Sequence, residues 1–291
     1  MTTRPLAELL GYSTDRRLLI VNADDFGMCQ AENAATIAGL DQGVFSSATV
    51  MVPCPWFDEV VEFAGRCPVA DIGVHVTHTS EWQRYKWGPV AGRTAVPSMV
   101  DARGHFHPRT EDVYQSARLD EVEVETRAQI DAALAAGIDV THLDSHMGTL
   151  QLDPNYHALY VSLAAEHRLP IRMTNRAWLQ EMGFGKIVEQ ADRLGVLRPD
   201  HLHVGGPPSP QETPAYWTAL LRRLKPGVTE IYVHAALGTE ELRAMTDSWR
   251  QREADFVYFS APETRALLAE LGIVQIGYRA LREVQRALTP C

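Results

Sequence analysis

Four short apolar runs in this chain end in residue types that bind metal ions or move protons. The first is Leu18-Leu19-Ile20-Val21, followed by Asn22-Ala23-Asp24-Asp25-Phe26-Gly27. The others end at His75, at His142-Leu143-Asp144-Ser145-His146 and at His234. Adjacent carboxylates at the end of a buried strand are costly to desolvate unless a cation or a proton offsets them. Asp and Asn are also ordinary turn formers, and a single strand-end histidine is more often a hydrogen-bonded residue than a ligand. Jointly the four ends carry more weight. If the strands are parallel, their carboxyl ends share one rim, where α/β folds build active sites. One Asp and two His form a facial set for a divalent cation. Such a cation activates water and polarises a carbonyl, a second carboxylate serves as base, and a separate His as acid. His142, Asp144 and His146 share one face of a regular strand, so the pattern does not choose among them.

These residues need a scaffold. Residues 31–42 read as a helix stopped by Gly43, and 47–52 as a strand stopped by Pro53 and Pro55. Residues 56–67 place Phe57, Val60, Val61 and Ala64 on one helical face, and 71–76 read as a third strand. Beyond them, 114–136 read as one helix, 154–167 as another, 170–173 as a short strand and 174–200 as helical. Strands at 201–204, 229–234 and 273–276 alternate with helices at 215–224, 246–254 and 262–270 and a terminal helix. Alternation of this kind predicts parallel pairing. About seven βα units without a linker predict one α/β domain over residues 1–291, a distorted TIM-like (β/α) barrel with mostly parallel strands. Residues 77–110 interrupt the rhythm, and Trp82, Tyr85 and Trp87 mark an ordered loop over a site rather than a simple connection.

Composition narrows the partners. The chain has 291 residues, 37 acidic and 27 basic, for a net charge of −10. That argues against nucleic acid or an anionic membrane as the main partner, since both attract clustered Lys and Arg. Cys29, Cys54, Cys67 and Cys291 form no CxxC pair, which predicts reduced thiols and no zinc module. The first residues lack the apolar segment of a secretory signal, and no apolar run reaches the length of a membrane span. A cytoplasmic protein is the expectation, with a homodimer as the default assembly.

The chain resembles the YdjC-type carbohydrate deacetylases, relatives of the polysaccharide deacetylases with a distorted β/α barrel. The matching pieces are residues 18–27, Ile-Gly-Val-His at 72–75, Thr-His-Leu-Asp-Ser-His at 141–146 and Glu-Ile-Tyr-Val-His at 230–234. Their order and spacing fit from residue 18 to about residue 280. The resemblance implies hydrolysis of an N-acetyl or related acyl group from an amino sugar or oligosaccharide, with one divalent metal ion, Mg or Zn. It implies Asp25, His75 and His146 as metal ligands, Asp24 as general base and His234 as general acid. Arg172 falls where relatives keep a strand-end Arg near the substrate, and Asp144, Trp82 and Trp87 are further candidates for substrate contact. Met147-Gly148 follow His146 where relatives carry more histidines, and Ala235 follows His234 where they carry Pro. Two other readings are another metal-dependent hydrolase or isomerase on a sugar-like substrate, and a non-catalytic sugar-binding protein. The presence of Asp24, Asp25 and His234 argues against the last.

Overall fold

The computed structural model describes residues 4–173, 176–181 and 183–288; Cys291 lies outside them. After the short helix α1 (Leu6–Leu9) comes the central strand β1 (Arg17–Phe26), buried from Leu18 onward. Then follow α2 (Gln30–Asp41), β2 (Ser47–Val50), α3 (Phe57–Arg66), β3 (Ile72–Val76), α4 (Thr110–Ser116), α5 (Leu119–Ala135) and β4 (Leu143–Ser145). The second half holds α6 (Pro154–His167), α7 (Arg176–Glu181), α8 (Gly185–Leu194), β5 (His201–His203), α9 (Thr213–Arg222) and β6 (Gly227–Val233). It ends with α10 (Glu240–Met245), α11 (Trp249–Ser260), α12 (Pro262–Glu270), β7 (Val274–Gln275) and α13 (Tyr278–Leu288).

The strands lie in the order β4-β3-β2-β1-β6-β5, every pairing parallel, with β7 beside the first half of β1. The sheet curls into a half-barrel with helices around it. Outside β4, Ile171 makes a single parallel bridge to Leu143, and its N–H donates to the Leu197 carbonyl at 3.0 Å.

β1 explains why the chemistry sits on one rim. Leu18 and Ile20 join Val228, Tyr278 and Leu281 in a small core closed by α1 and α13. Leu19, Val21 and Ala23 face the main core. Two residues further along the Leu18 and Ile20 face come Asn22 and then Asp24. That face therefore passes from apolar to amide to carboxylate toward the carboxyl end of the sheet. Gly73 on β3 is required by a neighbour, because a Cβ there would stand 2.5 Å from the His142 ring.

Several expected elements differ. Residues 114–136 are two helices, because Ala117 and Arg118 are extended and the Arg118 N–H donates to Ser98 Oγ at 2.9 Å. The strand expected over 140–146 keeps only three residues, since His146 opens a 3-10 turn containing Met147 at φ 53°. The helical stretch expected over 174–200 contains α7 and α8, and Met182 lies outside the described residues. α10 was not anticipated, and α11 begins and ends later than expected. The 77–110 loop is ordered, with a 3-10 turn at Pro97–Met99 and a bridge from Val100 to Phe106.

Candidate active site

A strand normally sends adjacent side chains to opposite faces, yet Asp24 and Asp25 both reach the rim. The register between β1 and β2 slips between Ala23 and Phe26, and Asp25 takes a left-handed φ of 63°. A β-bulge of this kind re-aims one side chain. The conformation costs about 1–2 kcal/mol for most residues, and Asp is among those that tolerate it.

Three atoms converge at this bulge. Asp25 Oδ1 lies 3.4 Å from His75 Nε2 and 3.3 Å from His146 Nδ1, and those two nitrogens are 3.3 Å apart. All three residues are almost wholly buried. Asp25 Oδ1 has no hydrogen-bond partner of acceptable geometry, a costly state for a buried carboxylate oxygen. One carboxylate and two imidazoles suit a divalent cation such as zinc, so the residues fit the implied ion.

The far nitrogen of each imidazole is held by a carboxylate. His75 Nδ1 is 2.5 Å from Asp144 Oδ1, and His146 Nε2 is 3.0 Å from Glu81 Oε2. A proton on each of those nitrogens leaves His75 Nε2 and His146 Nδ1 as free donors toward a cation. Burial lowers the proton affinity of both rings, but the surrounding carboxylates more than offset it. Asp144 and Asp25 help raise His75 to about 10, and Glu81 and Asp25 raise His146 to about 9. The same negative field attracts a metal ion.

Asp24 is held by Arg172, whose two terminal nitrogens donate to its two oxygens at 2.7 Å each. Asn22 Nδ2 donates to Asp24 Oδ1 at 2.8 Å. Arg172 also donates to Glu230 Oε1 at 2.7 Å and lies 2.9 Å from Asp144 Oδ2. Burial pushes the Asp24 carboxyl up, but Arg172 above all, with His75 and His234, brings it down to about 2. It is therefore ionised at neutral pH.

His234 follows β6, its Nε2 4.0 Å from Asp25 Oδ2 and its side chain 40% exposed. Partial burial depresses its imidazole against the pull of Asp25. Arg252 on α11 donates from Nη1 to Asp25 Oδ2 at 2.9 Å and also to Glu32 Oε1. Burial raises the Glu32 carboxyl well above its ordinary range, although Arg252 pulls the other way.

The structure brings Asp24, Asp25, His75, His146, His234 and Arg172 to one cavity of about 550 Å³. Arg172 lines it but spends its N–H groups on carboxylates. Asp144, expected to touch substrate, is wholly buried beneath His75, and Thr49 and Arg172 occupy its other oxygen. Trp82 and Trp87, also expected at the substrate, sit behind this cavity. Neither lines the cavity, and they pack on each other, on Tyr85 and, for Trp87, on His146. Trp87 Nε1 donates to the Thr79 carbonyl at 2.7 Å. They form the core that seats the loop and Glu81. Of the histidines near β4, His142 points elsewhere and stacks on Tyr278 at 3.7 Å. Glu81, Arg252, Glu32 and Glu230 were not anticipated; an acid amid loop aromatics was the one available signal for Glu81.

Comparison with known proteins agrees with this architecture. The family model described as YdjC-like protein matches residues 18–270. A Thermus thermophilus protein named carbohydrate deacetylase is 36% identical over 96% of this chain and 98% of its own length. A Yersinia enterocolitica chitooligosaccharide deacetylase is 34% identical over 57% of this chain and 63% of its own. A solved Enterococcus faecalis structure described as a cellobiose-phosphate cleavage protein superposes with a TM-score of 0.77 at 26% identity, covering 91% of this chain and 99% of that one.

Proposed function

The chain belongs to the YdjC-like protein family and is by that kinship a carbohydrate deacetylase, and from this premise we propose that it hydrolyses the N-acetyl or related acyl amide of an amino sugar with one divalent metal ion. Asp25, His75 and His146 would hold the ion, which when bound polarises the acyl carbonyl and makes water more acidic. The observation that carries this reading is the buried Asp25 Oδ1, unpartnered and aimed between two imidazole nitrogens.

The remaining steps belong to side chains. Asp24 accepts the proton of the attacking water. Arg172 keeps it ionised and fixed, and the pair shares a wall with the trio. His234, on the exposed side of Asp25, donates a proton to the amine as the C–N bond breaks. Asp144 and Glu81 orient the two imidazoles, and Arg252 and Glu32 hold the second oxygen of Asp25 and its neighbourhood.

The test is acetate release from N-acetylated amino sugars and their oligomers by protein loaded with zinc or magnesium. Release that requires the metal is expected. No release from any substrate by protein shown to contain metal would overturn the proposal.

A further inference from the structure

Asp24 is clamped by Arg172, and the imidazoles of His75 and His146 are each braced by a carboxylate. His234 has no such support. Among the described residues no hydrogen bond holds either of its ring nitrogens. Asp25 Oδ2, at 4.0 Å, is too distant for one and already accepts from Arg252 at 2.9 Å. The backbone around it is nonetheless fixed. Val233 ends β6, the Ala236 N–H donates to the Arg252 carbonyl at 3.3 Å, and the Leu237 N–H donates to the Ala31 carbonyl at 3.0 Å. The freedom left to His234 is in its side-chain torsions. An imidazole that swings out into water cannot protonate an amine inside the cavity.

What meets the ring is Tyr232. The two ring centroids are 5.9 Å apart and the planes cross at 89°. An edge-to-face pair of this kind favours one side-chain orientation by roughly two- to tenfold. Tyr232 is itself seated, with the guanidinium carbon of Arg172 4.6 Å from its ring centroid, within cation–π range. Arg172 is tied to Asp24, Asp144 and Glu230, so its own place does not depend on the ring. The sheet explains the stacking. Tyr232 on β6 lies beside Asn22 on β1, and Glu230, two residues back on the same face, is a carboxylate that holds Arg172. His234 comes two residues beyond Tyr232, as Asp24 comes two beyond Asn22. Asp24, Arg172, Tyr232 and His234 all line the one cavity.

We propose that Tyr232 is a positioning residue for the proton-donating imidazole: its ring, seated on the Arg172 guanidinium, keeps His234 turned into the cavity. The arginine that clamps the base thereby also supports the acid. Both contacts are made by the ring of Tyr232 rather than by its hydroxyl.

The inference rests on the deacetylase reading, and the experiment separates the two. Metal-loaded wild-type protein is compared with Tyr232→Leu, Tyr232→Phe, His234→Ala and the variant carrying both Tyr232→Leu and His234→Ala, on N-acetylglucosamine and N,N′-diacetylchitobiose. Tyr232→Leu should lower kcat by about tenfold with KM nearly unchanged, since the ring favours a productive orientation and not binding. Tyr232→Phe should keep most of kcat. In the His234→Ala background the leucine should cost nothing further. Proton NMR of the His234 Cε1–H, assigned by its loss in His234→Ala, gives a readout independent of turnover. Tyr232→Leu should move this resonance to the position of a solvent-exposed histidine, and Tyr232→Phe should leave it in place. A loss confined to KM, an equal loss from the leucine in both backgrounds, or an unmoved resonance would overturn the proposal. The expected NMR response without acetate release from any sugar would uphold the seat of His234 and refute the deacetylase reading.

Discussion

Both carboxylate oxygens of Asp24 accept from the guanidinium of Arg172 at 2.7 Å, so the proposed base is held in a two-pronged clamp before any substrate arrives. The clamp fixes its direction and keeps it charged, and it also makes Asp24 a weaker base than a free carboxylate. Its function thus depends on the attacking water being unusually acidic.

Asp24→Asn should remove that base while leaving the three candidate ligands in place. Deacetylation is expected to fall by about 10²- to 10⁴-fold. Metal content, measured by elemental analysis of the purified variant, should not change. Retained turnover would mean that another group takes the proton.

Arg172→Met strips the cationic partner that Asp24, Asp144 and Glu230 share, in a place where all three are buried. Removing one partner from a buried charge network typically costs about 3–5 kcal/mol. Urea unfolding should register a loss of that order. Arg172→Lys should recover only part of it, because an ammonium cannot reproduce the fork.

Glu81→Ala should act through His146. Without the carboxylate on Nε2, that ring is free to turn or to change tautomer. Metal affinity is expected to weaken by roughly 10- to 100-fold, read by competition with a chromophoric chelator. Unchanged affinity would show that packing against Trp87 alone orients the ring.

Asp255 on α11 offers a pH test away from the cavity. Burial raises its carboxyl to about 6, although it accepts from Trp217 and Gln251. With a folded value above the unfolded one, near 3.8, its contribution to stability is fully present below pH 4 and lost as pH rises through 6. Asp255→Asn should flatten this fall. The expected difference between pH 4 and pH 7 is about 3 kcal/mol, from the size of the shift. Identical stability profiles for the two proteins would contradict the raised value.

The strand ends were legible because buried parallel strands spell themselves as unbroken apolar runs, and a charged residue at such an end stands out. Leu18–Val21 leading to Asp24 and Asp25 is the clearest instance. How two neighbours could face one way was not legible, because the left-handed turn at Asp25 leaves no glycine as its mark. Nor were Glu81 and Arg252, which join residues 65 and 227 positions away and belong to no periodic pattern. The break at Ala117 and Arg118 was hidden for a related reason. It is stabilised by Ser98, a loop hydroxyl distant in sequence, while the local residues favour a continuing helix.

The half-barrel has a further consequence for how such an enzyme can change. The groups that would perform hydrolysis hang from β1, β3, β4 and β6 or just beyond them, where parallel pairing fixes their spacing. Met147, Leu152, Leu202 and Val204, which also line the cavity, hang from segments at the sheet's two margins, which answer to fewer hydrogen-bonded neighbours. Mutation can therefore rewrite the margins while the reaction stays intact. A lineage built on this scaffold is free to exchange one sugar for another without reinventing how the acetyl group is removed.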